Sequence, residues 1–210
     1  SSDNIDNALL SYIEPYASSA CEMVSEVLQY IVDDIKIPNL EASSLYAGIM
    51  IDTNNFMNKT GVRTFEAAAF LRRSGADITL VRKMFRDDME SYRAKAQIIS
   101  SAEVYHNKYA IARGENLTIE SPTIIGAQAA NELLDINEVK ASFVLTTYNG
   151  RIYVSARSID EVNVQIIMER LGGGGHMNAS GAQFDHTDMD EAVADLKQVI
   201  DDVIEGGEIE

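Results

Sequence analysis

Apolar residues recur at three- and four-residue steps between Ser19 and Val32, through Ala20, Met23, Val24, Val27, Leu28 and Ile31, and that period predicts an amphipathic helix. Pro38 closes the segment. A second helical run through Leu40, Leu45 and Ala47 then leads into Gly48-Ile49-Met50-Ile51-Asp52-Thr53. That short apolar stretch is compatible with a strand or with a last helical turn, and periodicity does not separate the two. Thr64 is the expected N-cap of a helix from Phe65 to Arg73, with Gly75 as its stop, and Leu80 to Phe85 reads as a further helix. From Asp88 to about Lys108 the chain is polar with a narrow apolar seam (Met89, Tyr92, Ala96, Ile99, Tyr105), the pattern of one long connecting helix.

Beyond that point the period shortens. Tyr109 to Ala112 is a predicted strand, and Ser121-Pro122 opens a helix that continues to Leu134, with proline in a permitted first-turn position. Ser142 to Thr147 and Arg151 to Ala156 are β-rich and meet at Asn149-Gly150, two residues that tolerate positive φ and so predict a tight hairpin. Gln165 to Leu171 is a short helix running into four glycines, and Gln183-Phe184 is an expected edge strand. Thr187 and Asp190 form a capping-box pattern before a last helix with an apolar face of Ala192, Val193, Leu196, Val199, Ile200 and Val203. The expected fold is therefore α/β in two lobes, a mostly helical one over residues 1–86 and an α/β one over 109–210, joined by a connecting helix over 87–108.

Composition narrows the function. The chain of 210 residues is 46% hydrophobic and 24% charged, ordinary for a folded domain, and it has no apolar run of membrane-spanning length. A single cysteine, Cys21, excludes an internal disulfide framework and suits a reducing compartment, with a cytoplasmic location the expectation. With 17 basic and 33 acidic residues, the formal net charge of -16 repels long polyanions, so extended nucleic acid is a poor partner. A small phosphorylated ligand remains compatible, because a local cluster of donors can reverse the field within one cleft.

Leu171 to Gly181, reading LGGGGHMNASG, is the segment richest in chemistry. Gly172, Gly173, Gly174 and Gly175 keep side chains away from a ligand, and consecutive amides in such turns can form an anion-binding concavity. His176 adds a proton or a directed hydrogen bond, and Asn178 and Ser180 add small polar groups. The pattern is neither a P-loop nor a dinucleotide fingerprint. Arg157, at the end of the strand Arg151 to Ala156, offers a planar fork of donors suited to a phosphate. Asp52, emerging from an apolar run, is a candidate ligand for a divalent cation or else a turn aspartate. His106 and His186 read as solvated histidines.

The motifs GIMIDTNNF, TGVRTFEAAAFLRRSGAD, SARS and GGGGHMNASG together resemble the DHH phosphoesterase superfamily with its DHH-associated C-terminal domain. Within it, the chain is most similar to the membrane-anchored bacterial cyclic-di-AMP phosphodiesterases. The resemblance covers about residues 9–204. It implies that residues 1–86 are the C-terminal part of a DHH domain and that 109–210 are the associated substrate-binding domain. It also implies a manganese-dependent hydrolase with a two-metal centre, in which Asp52 matches one ligand, and in which His176 and Arg157 contact substrate phosphate beside Gly172 to Gly175.

One departure matters. Neither a DHD nor a DHH motif occurs in these residues, and in the family the DHH motif falls just before the position of Ser1. The expectation is a cytoplasmic piece of a longer, membrane-anchored protein, making no membrane contact itself. Left with one carboxylate ligand, it would be inactive alone, since two metal ions about 3.5 to 4 Å apart would have no cage. The intact parent would cleave cyclic-di-AMP to pApA. Two other readings stay open: a nuclease for short oligonucleotides (nanoRNA), and a nucleotide-binding module without chemistry. A homodimer would be plausible if the apolar face of the last helix were exposed.

Overall fold

The computed structural model describes residues 11–31, 35–159, 162–185 and 188–209. The chain divides into two compact units, 1–86 and 87–210.

The first unit is helical: α1 (Ala20–Ile31), α2 (Asn39–Asp52), α3 (Val62–Arg73) and α4 (Ile78–Met84). The GIMID run is thus the end of α2 and not a strand. Its core is small, with Ala42, Ile49, Ala67, Leu71 and Ala76 buried. α1 and α2 approach closely where Gly48 lies against Cys21; a Cβ at Gly48 would stand 2.3 Å from the Cys21 sulfur. α1 departs from its predicted orientation. The buried residues are Glu22 (2% exposed) and Ser25, while Val24 is 45% and Ile31 64% exposed. Glu22 tolerates burial because the Ser18 hydroxyl and amide and its own amide, bonded to the Ser19 hydroxyl, tie it into the turn before the helix.

Thr64 is not the N-cap of α3. Gly61 holds that position, and Thr64 at the third helical position accepts from the Gly61 amide at 3.1 Å, so the capping group acts from one turn inside. Gly75 does follow the helix, at φ +105°, as a stop residue should. Asp77 caps α4 by accepting from the Thr79 amide.

The second unit carries α5 (Met89–Ser100), β1 (Glu103–Tyr105), β2 (Tyr109–Gly114), α6 (Pro122–Leu133), β3 (Ala141–Tyr148), β4 (Arg151–Ser158), α7 (Val164–Arg170), β5 (Gly174–His176), β6 (Ala179–Phe184) and α8 (Met189–Glu205). The helix expected over 88–108 ends at Ser100. Glu103 to Tyr105 instead pairs antiparallel with β2, across a turn in which His106 and Asn107 have positive φ. Six strands form one mixed sheet in the order β1-β2-β3-β4-β6-β5, with β2 and β3 parallel and the other pairs antiparallel. The hairpin at Asn149-Gly150 forms as the sequence predicts, with φ +48° and +73°. Gln183-Phe184 is the end of β6 and pairs only with β4, an edge segment as expected, because the glycine-run strand β5 covers only Ala179 to Gly181.

Strand alternation gives the sheet two faces. Ile111, Phe143, Leu145, Ile152, Val154, Ala156, Ala182 and Phe184 meet α7 and α8 in the larger core. On the other face Ala110, Ala112 and Val144 meet α5 and α6. The apolar face of α8 lies inside the larger core, with Ala192, Val193, Leu196, Ile200 and Val203 buried, so the exposed seam that would have suggested a dimer is absent. Asp188 caps this helix, accepting from the amides of Asp190 and Glu191; the expected Thr187 pattern and His186 lie outside the described residues.

Candidate functional site

The glycine run is a tight turn followed by an edge strand. Gly172, at φ +78°, lets α7 end with the Gly173 amide bonded to Met168 O at 2.8 Å. The next residues pair with β6, Gly174 opposite Gly181, Gly175 opposite Ser180 and His176 opposite Ala179. Two of the glycines are required by proximity. A Cβ on Gly173 would stand 2.1 Å from Gly181 O, and one on Gly175, itself at φ +146°, 2.6 Å from Ala179 O. A Cβ on Gly174 would meet nothing within 4 Å. The four glycines therefore have three jobs: chain reversal, close seating on β6, and an uncovered surface at Gly174.

The register explains how His176 and Arg157 come together. His176 pairs with Ala179, Ala179 with Arg157, and Arg157 with Ser142, so these four residues form one row across β5, β6, β4 and β3. Directly paired residues project to the same side of a sheet. His176 and Arg157 therefore share a face, two strands or about 10 Å apart, with only the methyl of Ala179 between them. The adjoining row on that face is Gly174, Gly181, Ser155 and Val144. The floor between imidazole and guanidinium is thus made of Gly174, Gly181, Ala179 and Ser155, all small. Ala179 and His176 are exposed, and α6, which packs on this side, covers β3 and reaches β4.

The polar groups of this face are not used up internally. Arg157 is partly buried, which pushes its guanidinium pKa down from the ordinary value, and it donates from Nη1 to Ala156 O at 2.8 Å. Among the described residues it has no carboxylate partner, and the His176 ring makes no hydrogen bond. A cation held without a counterion beside an open trough is suited to an anion that arrives from outside.

Two of the expected residues sit elsewhere. Ser180 pairs with Gly175 and Ala156, and therefore faces the core side of the sheet; it is buried, and its hydroxyl donates to His176 O at 2.5 Å. It locks the edge strand and does not line the trough. Asn178 is in the two-residue turn between β5 and β6, where its carbonyl accepts from the Ser158 amide at 3.1 Å.

Asp52 belongs to the first unit. It is the last residue of α2 and is exposed. The loop after it is fixed by the buried Thr53, whose hydroxyl donates to Ile49 O at 2.7 Å and accepts from the Phe56 amide at 3.0 Å, while Asn54, Asn55 and Phe56 all adopt positive φ. Burial, and to a lesser extent the negative charge of Asp52, pushes the Cys21 thiol pKa up, so this cysteine is a poor nucleophile. Among the described residues no group of three or more His, Cys, Asp or Glu side chains could hold a metal ion. By themselves the described residues do not make up a two-metal centre. Nor is any helix among the described residues long and apolar enough to cross a membrane.

Residues 109–205 match the DHHA1 domain family. The cyclic-di-AMP phosphodiesterase GdpP of Geobacillus thermodenitrificans is 44% identical over 204 residues, covering 97% of this chain and 31% of that protein. The cyclic-di-AMP phosphodiesterase PdeA of Listeria monocytogenes is 41% identical over 202 residues, covering 96% of this chain and 31% of that protein. The chain thus spans about a third of the length of these curated relatives. Among solved structures, an exopolyphosphatase-related protein from Bacteroides fragilis superposes with a TM-score of 0.81 at 24% identity, covering 95% of this chain and 61% of that one, a likeness of fold. The chain belongs to the DHH/DHHA1 phosphoesterase family and is closely related to the bacterial GdpP and PdeA proteins.

Proposed function

We propose that this chain is the phosphate-capturing part of a phosphodiesterase that hydrolyses cyclic-di-AMP to pApA in a manganese-dependent reaction. The observation that carries the reading is the shared row of His176 and Arg157 on one sheet face, separated by Ala179, with no carboxylate paired to Arg157 among the described residues. The guanidinium presents a planar pair of donors to two oxygens of one phosphate, and the imidazole donates to a third or supplies a proton. Arg157, held by its bond to Ala156 O, stabilises charge that develops on the phosphoryl oxygens with little reorganisation. The low floor formed by Gly174, Gly181 and Ala179 admits a phosphate to the level of the backbone. Asp52 is the one metal ligand that these residues contribute to the reading.

The overall charge of -16 favours a dinucleotide over a long strand, because few phosphates then meet the protein's field. In the longer enzyme, His176→Ala is expected to lower kcat/KM for cyclic-di-AMP by about 10²-fold or more, a typical loss for a positioned electrostatic or proton-transfer group. Arg157→Ala should act in the same direction. Unchanged kinetics in both variants would remove this face from the reaction. The 210-residue chain supplied with manganese is expected to give no measurable turnover, and near-native hydrolysis by it would overturn the single-ligand argument. Competition among cyclic-di-AMP, pApA and a ten-nucleotide single strand ranks the substrate classes.

A further inference from the structure

The row that contains Arg157 is followed along β4, on the same face, by Ser155 and Tyr153, and Tyr153 pairs with Gln183 of β6. Arg157 and Tyr153 are four residue steps apart along the strand, a span of about 13 Å. That is the scale of one nucleotide laid along the strand from its phosphate to the far edge of its base. Along this line the floor is Ala179 and then Gly181, with Gly174 beside it, flat enough for a planar ring to lie against the backbone. Gln183 is exposed, while Ser155 and Tyr153 are half-buried. Among the described residues the side chains of Ser155 and Gln183 and the hydroxyl of Tyr153 have no hydrogen-bond partner, and the Tyr153 ring touches Tyr148 with centroids 6.3 Å apart. Three polar groups without a protein partner among the described residues thus lie on one face in line with Arg157 and His176, open to a polar ligand that displaces water, whereas the other face of the same strands is packed with apolar core.

We propose that Ser155, Tyr153 and Gln183 seat the nucleobase of the nucleotide whose phosphate His176 and Arg157 hold. The inference rests on the phosphate reading above and adds the specificity element to it. A glutamine amide presents one donor and one acceptor side by side, the complement of a base edge such as that of adenine, and no feature of a phosphate calls for that pair. The tyrosine ring closes the far end and offers a π-face to the base.

The test is a titration of the 210-residue chain, followed by amide chemical shifts, with 5′-AMP and with ribose 5-phosphate, which has the phosphate and sugar but no base. The nucleotide is expected to bind about tenfold more tightly and to perturb the amides of Tyr153 and Gln183 as well as those around His176. Gln183→Ala, a change at an exposed position, should remove most of that advantage and leave ribose 5-phosphate binding as it was; Gln183→Glu, which loses the donor, should behave likewise. His176→Ala should weaken both ligands. Equal affinity for the two ligands, or an equal loss of both in Gln183→Ala, would overturn the base site while leaving the phosphate site standing. Binding of neither ligand would overturn the phosphate reading and this inference with it.

Discussion

Single residues in the glycine run separate structure from recognition in a way experiment can read. Gly173 and Gly175 are closed to any side chain by the backbone of β6, where an added Cβ would stand 2.1 and 2.6 Å from the nearest carbonyl oxygens. Gly173→Ala and Gly175→Ala are therefore expected to destabilise the second unit by ~1 to 3 kcal/mol in urea unfolding, through overpacking and backbone strain. Gly174→Ala meets open space and should leave stability within ~0.5 kcal/mol. Its methyl would nevertheless raise the floor beside His176, so nucleotide affinity should fall while the melting curve stays. A stable Gly173→Ala protein would show that β5 does not sit on β6 as described. In the sequence the glycines, His176 and Arg157 are grouped through the family resemblance, and the strand register puts His176 and Arg157 on one face of the sheet. The sorting of the glycines was not legible, since sequence says nothing about which strand approaches which. Ser180 was misread for the same reason. Its alternation within β6, once the pairing is known, sends it to the core side.

Elements were read best where local chemistry alone decides them. The Asn149-Gly150 hairpin and the helices α6 and α8 follow from turn residues, a first-turn proline and an unbroken apolar period. Short strands were lost because three residues carry no period. β1 has only Glu103, Val104 and Tyr105, although His106-Asn107 behind it was a turn signal that could have revealed the hairpin. This hairpin is pinned to α8 by Asp201, which accepts from the Tyr105 hydroxyl at 2.8 Å and lies 2.7 Å from His106 Nε2. The bond to His106, then that to Tyr105, holds the Asp201 carboxyl below the usual carboxylate range. The stability so contributed is present above the ordinary carboxylate pKa and is lost as pH falls through the lowered value of the folded state. Asp201→Asn should accordingly flatten the acid limb of the stability profile below about pH 4, measured by thermal melting against pH. A profile parallel to that of the parent chain would show that the pair has no linkage to folding. At the start of α8, Asp188→Ala removes the cap of two amides and should cost ~0.5 to 2 kcal/mol.

For the molecule as a whole, the hydrophobic clusters of the described residues divide between the units, two within 87–210 and one within 1–86. The larger unit has the complete sheet core and should unfold cooperatively when expressed alone, with a melting temperature close to that of its transition in the whole chain. The helical unit, whose buried apolar set is Ala42, Ile49, Ala67, Leu71 and Ala76, should not hold together by itself. Circular dichroism of the two separated pieces checks both statements; a stably folded 1–86 would mean that its small core suffices. Two-lobe organisation was visible in the sequence because the period of the apolar residues changes between the halves. The direction in which α1 turns its apolar stripe was not, because a helical period fixes that a face exists and leaves open what it meets.

The hairpin that carries His176 has one more consequence. Its two-residue turn, Met177-Asn178, sets the pairing of His176 with Ala179, and side chains in a strand alternate between faces residue by residue. The imidazole's side of the sheet is therefore a matter of parity: a single residue inserted into that turn would deliver the ring to the greasy interior without altering any chemical group of the motif. A variant of this kind would keep every letter of GGGGH and lose its purpose.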